Sequence, residues 1–355
     1  MGHLSPKQRR ELYARFVQLR QDYKKEDCYN AIARDLGVSV GTVRTHVLSQ
    51  HRAGAIPAKI PATQAPVEPL TSSDFEITAS RLTRQAPTPK ANHLLDETGR
   101  YTLSRPERWL VLPDTQIPYH DERAIGAVLK YAKQHYYDGC IQLGDFMDWD
   151  FCSRWTADNA RKAEGQRFLS EYVHGNAVLD EIQDAVRANN PDAHLIVIEG
   201  NHDWRIQNVI DKTPFLEGLI DVEPNLRFNE RNAVYWRYWV HRKPVMIGKA
   251  HFIHGDYIGV HHAKKTADSY HRNVFYGHTH TLQAYTKTTL AEDSVQCWSL
   301  GTLSRFDLEY MGKRPSSWMQ CFAEFFFRED GSFNHYVTNI VDHSFTAIDG
   351  NTYTG

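Results

Sequence analysis

The sequence predicts a mixed α/β protein, a two-sheet body preceded by a small all-α head. Three observations carry this expectation. From Glu107 to about residue 200, apolar runs of strand length alternate with amphipathic helical stretches, the pattern of a sheet with helical crossovers. From about residue 234 onward, short apolar runs follow one another and imply a second sheet packed on the first. Ahead of both, residues 53–104 are rich in Ala, Pro, Thr and Gln, which reads as an extended linker between body and head.

The head is expected over residues 1–52. Ser5 can cap a helix, Pro6 suits its first turn, and Leu12, Phe16, Val17 and Leu19 supply an apolar face. In "YNAIARDLGVSVGTVRTHVLSQHR", Ile32, Ala33 and Leu36 fit a short helix, Gly37 breaks it, and Val38, Val43 and Val47 fit a second. Ala33 is small where two helices must cross closely, and Gly37 tolerates a turn conformation that a Cβ disfavours. The segment resembles a helix-turn-helix. That resemblance turns Ser39, Thr42, Arg44 and Thr45 toward a major groove, with Arg44 the first choice for a base contact. Helix-turn-helix modules often work as dimers, so a homodimer is expected.

In the body, "RWLVLPD", "GCIQLGD" and "HLIVIEGNHD" read as buried strands, and "ERAIGAVLKYAKQHY" and "GQRFLSEYVHGNAVLDEIQDAVRANN" as the helices between them. The runs "VYWRYWVHR", "KAHFIHGD", "NVFYGHTH", "LQAYTKTTL", "SVQCWSLG" and "MQCFAEFFFRED" read as further strands. The body is expected to end near residue 345, leaving 346–355 as a tail.

Charge separates the two parts. Residues 1–60 hold eleven Lys/Arg against five Asp/Glu, a net of +6, and the remainder carries −8. A basic head suits a polyanion such as DNA, while the acidic body is not itself a basic groove. The five cysteines are scattered and odd in number with no C-x-x-C, which reads as reduced thiols without a zinc ribbon. The chain start lacks the apolar core of a signal peptide, and no apolar run is long enough to span a bilayer. A cytoplasmic protein without a membrane partner is therefore expected, in the host cytoplasm if phage-encoded.

Chemistry-bearing residues stand where the strands run out. Asp114 follows Val111–Pro113, Asp145 opens "DFMD" after Gly144, and Asn201, His202 and Asp203 follow Gly200. His254 ends the next run, and His278 and His280 the one after. In open α/β sheets the carboxyl ends of strands gather at one crevice. Carboxylate, amide oxygen and imidazole together suit hard-to-borderline divalent cations. Two such ions about 3.5–4 Å apart can activate a nucleophile and clamp a phosphoryl group.

The ordered set "PDTQ … GDFMD … GNHD … HGD … GHTH" resembles the calcineurin-like metallophosphoesterase superfamily over roughly residues 105–345. Its spacing and "GTL" at Gly301–Leu303 are most similar to phosphoesterases of phages and prophages. The resemblance implies an α/β/β/α sandwich. It implies one metal held by Asp114, Gln116, Asp145 and His280 and a second by Asp145, Asn201, His254 and His278, with Asp145 bridging. His202 would then stand near the leaving group, oriented by Asp148.

Two departures matter. The family usually carries D-x-H in the first motif, whereas this chain has "DTQ", and its Ser/Thr phosphatase branch places Arg where Trp149 stands. The second departure counts against a dedicated protein phosphatase. Arg154 and Arg205 are the expected phosphate contacts. A glutamine ligand is harder and weaker than imidazole, so Mn²⁺ is expected first, with Mg²⁺, Fe²⁺ or Zn²⁺ as alternatives. The implied activity is a DNA phosphodiesterase tethered by its head. The alternatives are a phosphomonoesterase or small-nucleotide phosphodiesterase, and a non-catalytic DNA-binding regulator with a degenerate phosphoesterase domain.

Overall fold

The computed structural model describes residues 25–36, 40, 43, 47, 94–153, 156, 167–288, 294–307 and 316–355. The chain divides into two compact units, residues 1–84 and 85–355. In the first, helix α1 spans Lys25–Leu36. Tyr29, Ile32, Ala33, Val43 and Val47 are buried there. Ser39, Thr42, Arg44 and Thr45 lie outside the described residues, as does Arg154.

The second unit holds two six-stranded sheets. The first contains β2 (Glu107–Leu112), β3 (Gly139–Gln142), β4 (His194–Ile198) and β5 (Val234–Trp236) in parallel. β11 (Cys321–Phe327) pairs antiparallel with both β2 and β12 (Phe333–Asn339) and closes that side. The second sheet has the order β1-β6-β7-β8-β10-β9. Its strands are β1 (Arg100–Tyr101), β6 (Val245–Ile247), β7 (Ala250–Ile253), β8 (Asn273–Tyr276), β9 (Leu282–Lys287) and β10 (Val295–Leu300). β7, β8 and β10 run parallel to one another.

Strand periodicity sorts side chains into two cores. Leu110, Cys140, Leu195 and Val197 pack against α2 (Glu122–Ala132) and α3 (Phe168–Val186). Their neighbours Trp109, Val111, Ile141, Ile196 and Ile198 face the other way, onto Phe252, Val274 and Phe275 of the second sheet. Helix α5 (His262–Tyr270) packs on β8, β9 and β10. The layers are therefore α/β/β/α. The helix-side core also buries Glu324 of β11, which pairs with Arg108 and accepts from the Tyr131 and Tyr137 hydroxyls. Among the described residues, no helix is long and apolar enough to cross a membrane.

Several expectations are corrected. "VYWRYWVHR" is a strand only over Val234–Trp236, after which Tyr238–His241 forms a helical turn. Glu199 accepts from Trp239 N and so anchors that turn beside β4. Residues 94–103, assigned to the linker, belong to the body. Leu95 is buried, Asp96 Oδ1 holds the turn through Thr98 N and Arg100 N, and Tyr101 sets its ring against Trp109 at 5.1 Å. Residues 346–355 are likewise no free tail: β13 (Ser344–Thr346) pairs with β14 (Thr352–Thr354), and Tyr353 packs against Tyr131.

Trp109 lies fully buried against Gly139 on the neighbouring strand, where an added Cβ would stand 2.5 Å from the indole ring. Gly139→Ala is expected to destabilise the protein by about 1–3 kcal/mol. Urea denaturation reads this, and an unchanged midpoint would show that the two strands can part without cost.

Candidate metal centre

The two sheets present the carboxyl ends of five strands to one place. From the first come Asp114 after β2, Asp145 after β3, and Asn201 and His202 after β4. From the second come His254 after β7, and His278 and His280 after β8. Glycines allow the approach. A Cβ on Gly277 would collide with the Asp114 carboxylate, one on Gly200 with Asp145, and one on Gly144 would stand 2.6 Å from His254 Nδ1.

The carboxylates are held by backbone N–H groups. His278 N donates to Asp114 Oδ1 and Oδ2 at 3.0 and 2.8 Å, and His202 N donates to Asp145 Oδ1 at 2.7 Å. Both aspartates are buried, at 0% and 1% exposure, so each charge needs compensation inside the protein. Imidazoles supply part of it. Burial opposes ionisation of Asp145, but His202 and His254 outweigh it and keep the carboxyl below its ordinary range. Burial pulls His254 down, yet Asp145 and Asp114 raise it to about 9. Burial and the adjacent His254 push His278 down to about 4.

Donor spacing fits a cation. His254 Nε2 meets Asn201 Oδ1 at 2.9 Å, His278 Nδ1 at 3.1 Å and Asp145 Oδ2 at 3.3 Å. One ring nitrogen carries at most one proton and satisfies only one of these neighbours. Donors about 2.1 Å from a shared cation lie about 3.0–3.4 Å apart, so this spacing suits an ion better than a hydrogen-bond network. Asp145, His254 and His278 form a group able to hold a metal ion.

Beside it, His280 Nε2 lies 3.0 Å from Asp114 Oδ2 and 3.2 Å from Gln116 Nε2. Gln116 Oε1 is buried with no hydrogen-bond partner, a state that costs about 1–3 kcal/mol unless something meets it. A half-turn of the amide brings this oxygen to the His280 side as a third donor. All seven sequence-nominated donors are thus linked in one chain of contacts, with Asp114 Oδ1 and His254 Nδ1 at 3.9 Å joining the two halves.

His202 borders the cluster, its Nε2 3.8 Å from Asp145 Oδ2. Its Nδ1 lies 3.1 Å from Asp148 Oδ2, as expected. Arg205, at the start of helix α4 (Arg205–Lys212), donates from Nη2 toward His202 Nε2 at 3.0 Å and from Nη1 to Asp148 Oδ1 at 3.2 Å. A guanidinium only donates, so Nε2 offers its lone pair here and the ring proton sits on Nδ1, facing Asp148.

Sequence reasoning assigned no task to Asp203. Its carboxylate accepts from Gly200 N, Met147 N and Phe146 N, tying the loop after β4 to the loop after β3. Burial and the Asp145 charge push it up to about 7. Its position in "GNHD" was the visible signal. Trp149 is fully buried, with its ring 4.7 Å from that of Tyr172 on α3.

Fold and strand-end donors together define a two-sheet α/β/β/α sandwich with a site able to hold a metal ion. No family model matches the chain. Among characterised sequences it is similar to the gene 54 protein of Mycobacterium phage L5, 27% identical over 233 residues, spanning 61% of this chain and 88% of that protein. The gene 54 protein of Mycobacterium phage D29 is 28% identical over 189 residues, spanning 49% of this chain and 69% of that protein. Similar solved structures include Vps29 from Cryptosporidium parvum, at 13% identity and a TM-score of 0.38, covering 71% of this chain and 97% of that one. Another is Vps29 from Entamoeba histolytica complexed with Zn²⁺, at 12% identity and a TM-score of 0.33, covering 70% and 97%.

Gln116→His replaces a neutral amide oxygen by a softer, more basic nitrogen. Titration calorimetry on metal-stripped protein is expected to show Zn²⁺ bound about 10-fold more tightly, and Gln116→Ala to weaken Mn²⁺ by about 10-fold. Isotherms identical to wild type would place the amide outside the coordination shell.

Proposed function

We propose that this chain is a two-metal phosphodiesterase acting on DNA, held near its substrate by the helix-turn-helix head. The observation that carries the proposal is the gathering of Asp114, Gln116, Asp145, Asn201, His254, His278 and His280 into one cluster beside His202, with all but Asn201 and His278 buried. One ion would be held by Asp114, Gln116, Asp145 and His280, the other by Asp145, Asn201, His254 and His278. When bound, a pair of divalent cations, Mn²⁺ before Mg²⁺, Fe²⁺ or Zn²⁺, would supply an activated nucleophile and neutralise charge on the phosphoryl oxygens.

The chain's own residues do the rest. Asp148 and Arg205 hold the His202 ring, and Arg205 occupies its Nε2. A phosphate oxygen arriving at this edge competes for the guanidinium, which binds oxyanions well. Arg205 then turns to the phosphate and frees Nε2. The Asp148 carboxylate 3.1 Å from Nδ1 favours the protonated ring. The freed imidazole can therefore take up a proton and hand it to the leaving oxygen.

The head's net charge of +6 supports DNA as the partner, since linking a weak DNA binder to the body raises local substrate concentration. A homodimer follows from the same module. Likeness to two mycobacteriophage proteins supports a phage-encoded enzyme working in the host cytoplasm. The body's net charge of −8 favours a second reading, hydrolysis of phosphomonoesters or small nucleotide diesters, because a groove for an extended strand is usually basic.

Incubation of the Mn²⁺-loaded protein with plasmid and single-stranded DNA tests the proposal. No cleavage, alongside turnover of p-nitrophenyl phosphate in preference to its bis ester, would select the second reading. Asp145→Asn is expected to reduce turnover to background with loss of bound metal. His202→Ala is expected to lower kcat by about 10²–10⁴-fold while metal content by mass spectrometry stays at the wild-type level. Loss of metal from this variant would make His202 a ligand instead. Arg44→Ala is expected to weaken DNA binding in a gel-shift assay and to leave small-ester hydrolysis intact.

A further inference from the structure

A cavity of about 710 Å³ is lined by Trp318 and Met319, two residues that contact His280. It lies between the loop after β2, the segment after β10 and the turn joining β12 to β13. Its walls are wired to the metal donors. Met319 N donates to His280 O at 2.9 Å, Leu303 N to Asp114 O at 2.7 Å, and Arg305 N to Tyr119 O at 2.9 Å. The Trp318 ring meets the His280 ring at 4.0 Å between centroids and 73° between planes, so one indole both braces a metal donor and lines the cavity.

The lining has the chemistry of a nucleoside site. Trp318 and Phe306 are aromatic, and Phe306 and Val341 are 45% and 66% exposed. His120 brings a buried Nδ1 with no hydrogen-bond partner. Arg123 and Arg305 are outnumbered by Asp121, Glu122, Asp307 and Asp342, a lining unsuited to a run of phosphates. The volume falls in the range of small-molecule sites, and aromatic walls stack bases without regard to sequence.

We propose that this cavity receives one nucleoside of the ester whose phosphate sits at the metal centre, with the base against Trp318 and Phe306. This assignment rests on the phosphoesterase reading. The nucleoside is supplied either by the end of a DNA strand or by a free nucleotide ester. Both present the same base and sugar.

Two variants on exposed wall positions test it in the full-length, Mn²⁺-loaded protein: Phe306→Ala, which removes stacking surface, and Val341→Trp, which fills the space. The first readout is the ratio of kcat/KM for p-nitrophenyl thymidine 5′-phosphate to that for bis(p-nitrophenyl) phosphate, which lacks a nucleoside. The second is calorimetric binding of dAMP, which needs no turnover. Both variants are expected to lower the ratio and the dAMP affinity by about 10-fold, in line with one lost base stack. An unchanged ratio in both variants, or dAMP affinity equal to wild type, overturns the assignment. If the wild type cleaves neither ester, the phosphoesterase reading fails and dAMP binding alone decides the cavity. Competition separates the sources: a short duplex displacing dAMP at lower concentration than free thymidine 5′-phosphate does points to a strand end, and the reverse order to a free nucleotide.

Discussion

The Asp114 carboxylate is the joint on which the molecule is assembled. It leaves the first sheet at the end of β2 and accepts the His278 N–H of the second sheet on both oxygens. Its carbonyl accepts from Leu303 N and the Thr302 hydroxyl, which fixes the segment after β10. One buried residue thus sets the register of the two sheets and the wall of the neighbouring cavity. A charge at 0% exposure is tolerated only where partners converge on it, and convergence is what brings His280, His254 and Gln116 close. The price appears in the backbone. Gln116, Asp145, Trp149, His278 and His280 all have positive φ, between 47° and 66°, and none is glycine. Such conformations persist only where surrounding contacts over-determine them, and they cluster here at the strand ends that carry the chemistry.

The strands that build the site were legible because they are short, apolar and bounded. "RWLVL", "GCIQ" and "HLIVI" have little else to be, and each stops at a glycine or proline followed by a polar residue. Less legible were segments whose partners lie far along the chain. β12 reads "FNHYVTN", half of it exposed, and becomes a strand because β11 offers it a full ladder. The hairpin of β13 and β14 turns at "DGN", a signal that short flanking strands make easy to discount. Helix α5 carries His262, whose ring bonds to the Tyr276 hydroxyl at 2.6 Å and Thr281 Oγ1 at 3.0 Å. That histidine is a packing element. The cavity lined by Trp318 and Met319 was invisible for a similar reason. Its walls come from residues near 120, 305, 318 and 341, which nothing in their order connects.

The "GDFMD" and "GNHD" loops lock each other by exchanging aspartates. Asp148 of the first supports His202 of the second, while Asp203 of the second accepts backbone N–H groups from Phe146 and Met147 of the first. Neither loop can move without releasing a buried carboxylate from its donors, so the His202 ring is positioned by both. The exchange also accounts for Trp149. At φ 53° and fully buried against Tyr172 and Phe168, it anchors the first loop to α3. Arg205, by contrast, leaves the second loop where α4 begins and lies within reach of both Asp148 and His202. The positive charge beside the histidine thus comes from the loop that carries the histidine itself. Displacing Arg205 would uncover His202 Nε2, because the guanidinium is the donor that occupies that lone pair.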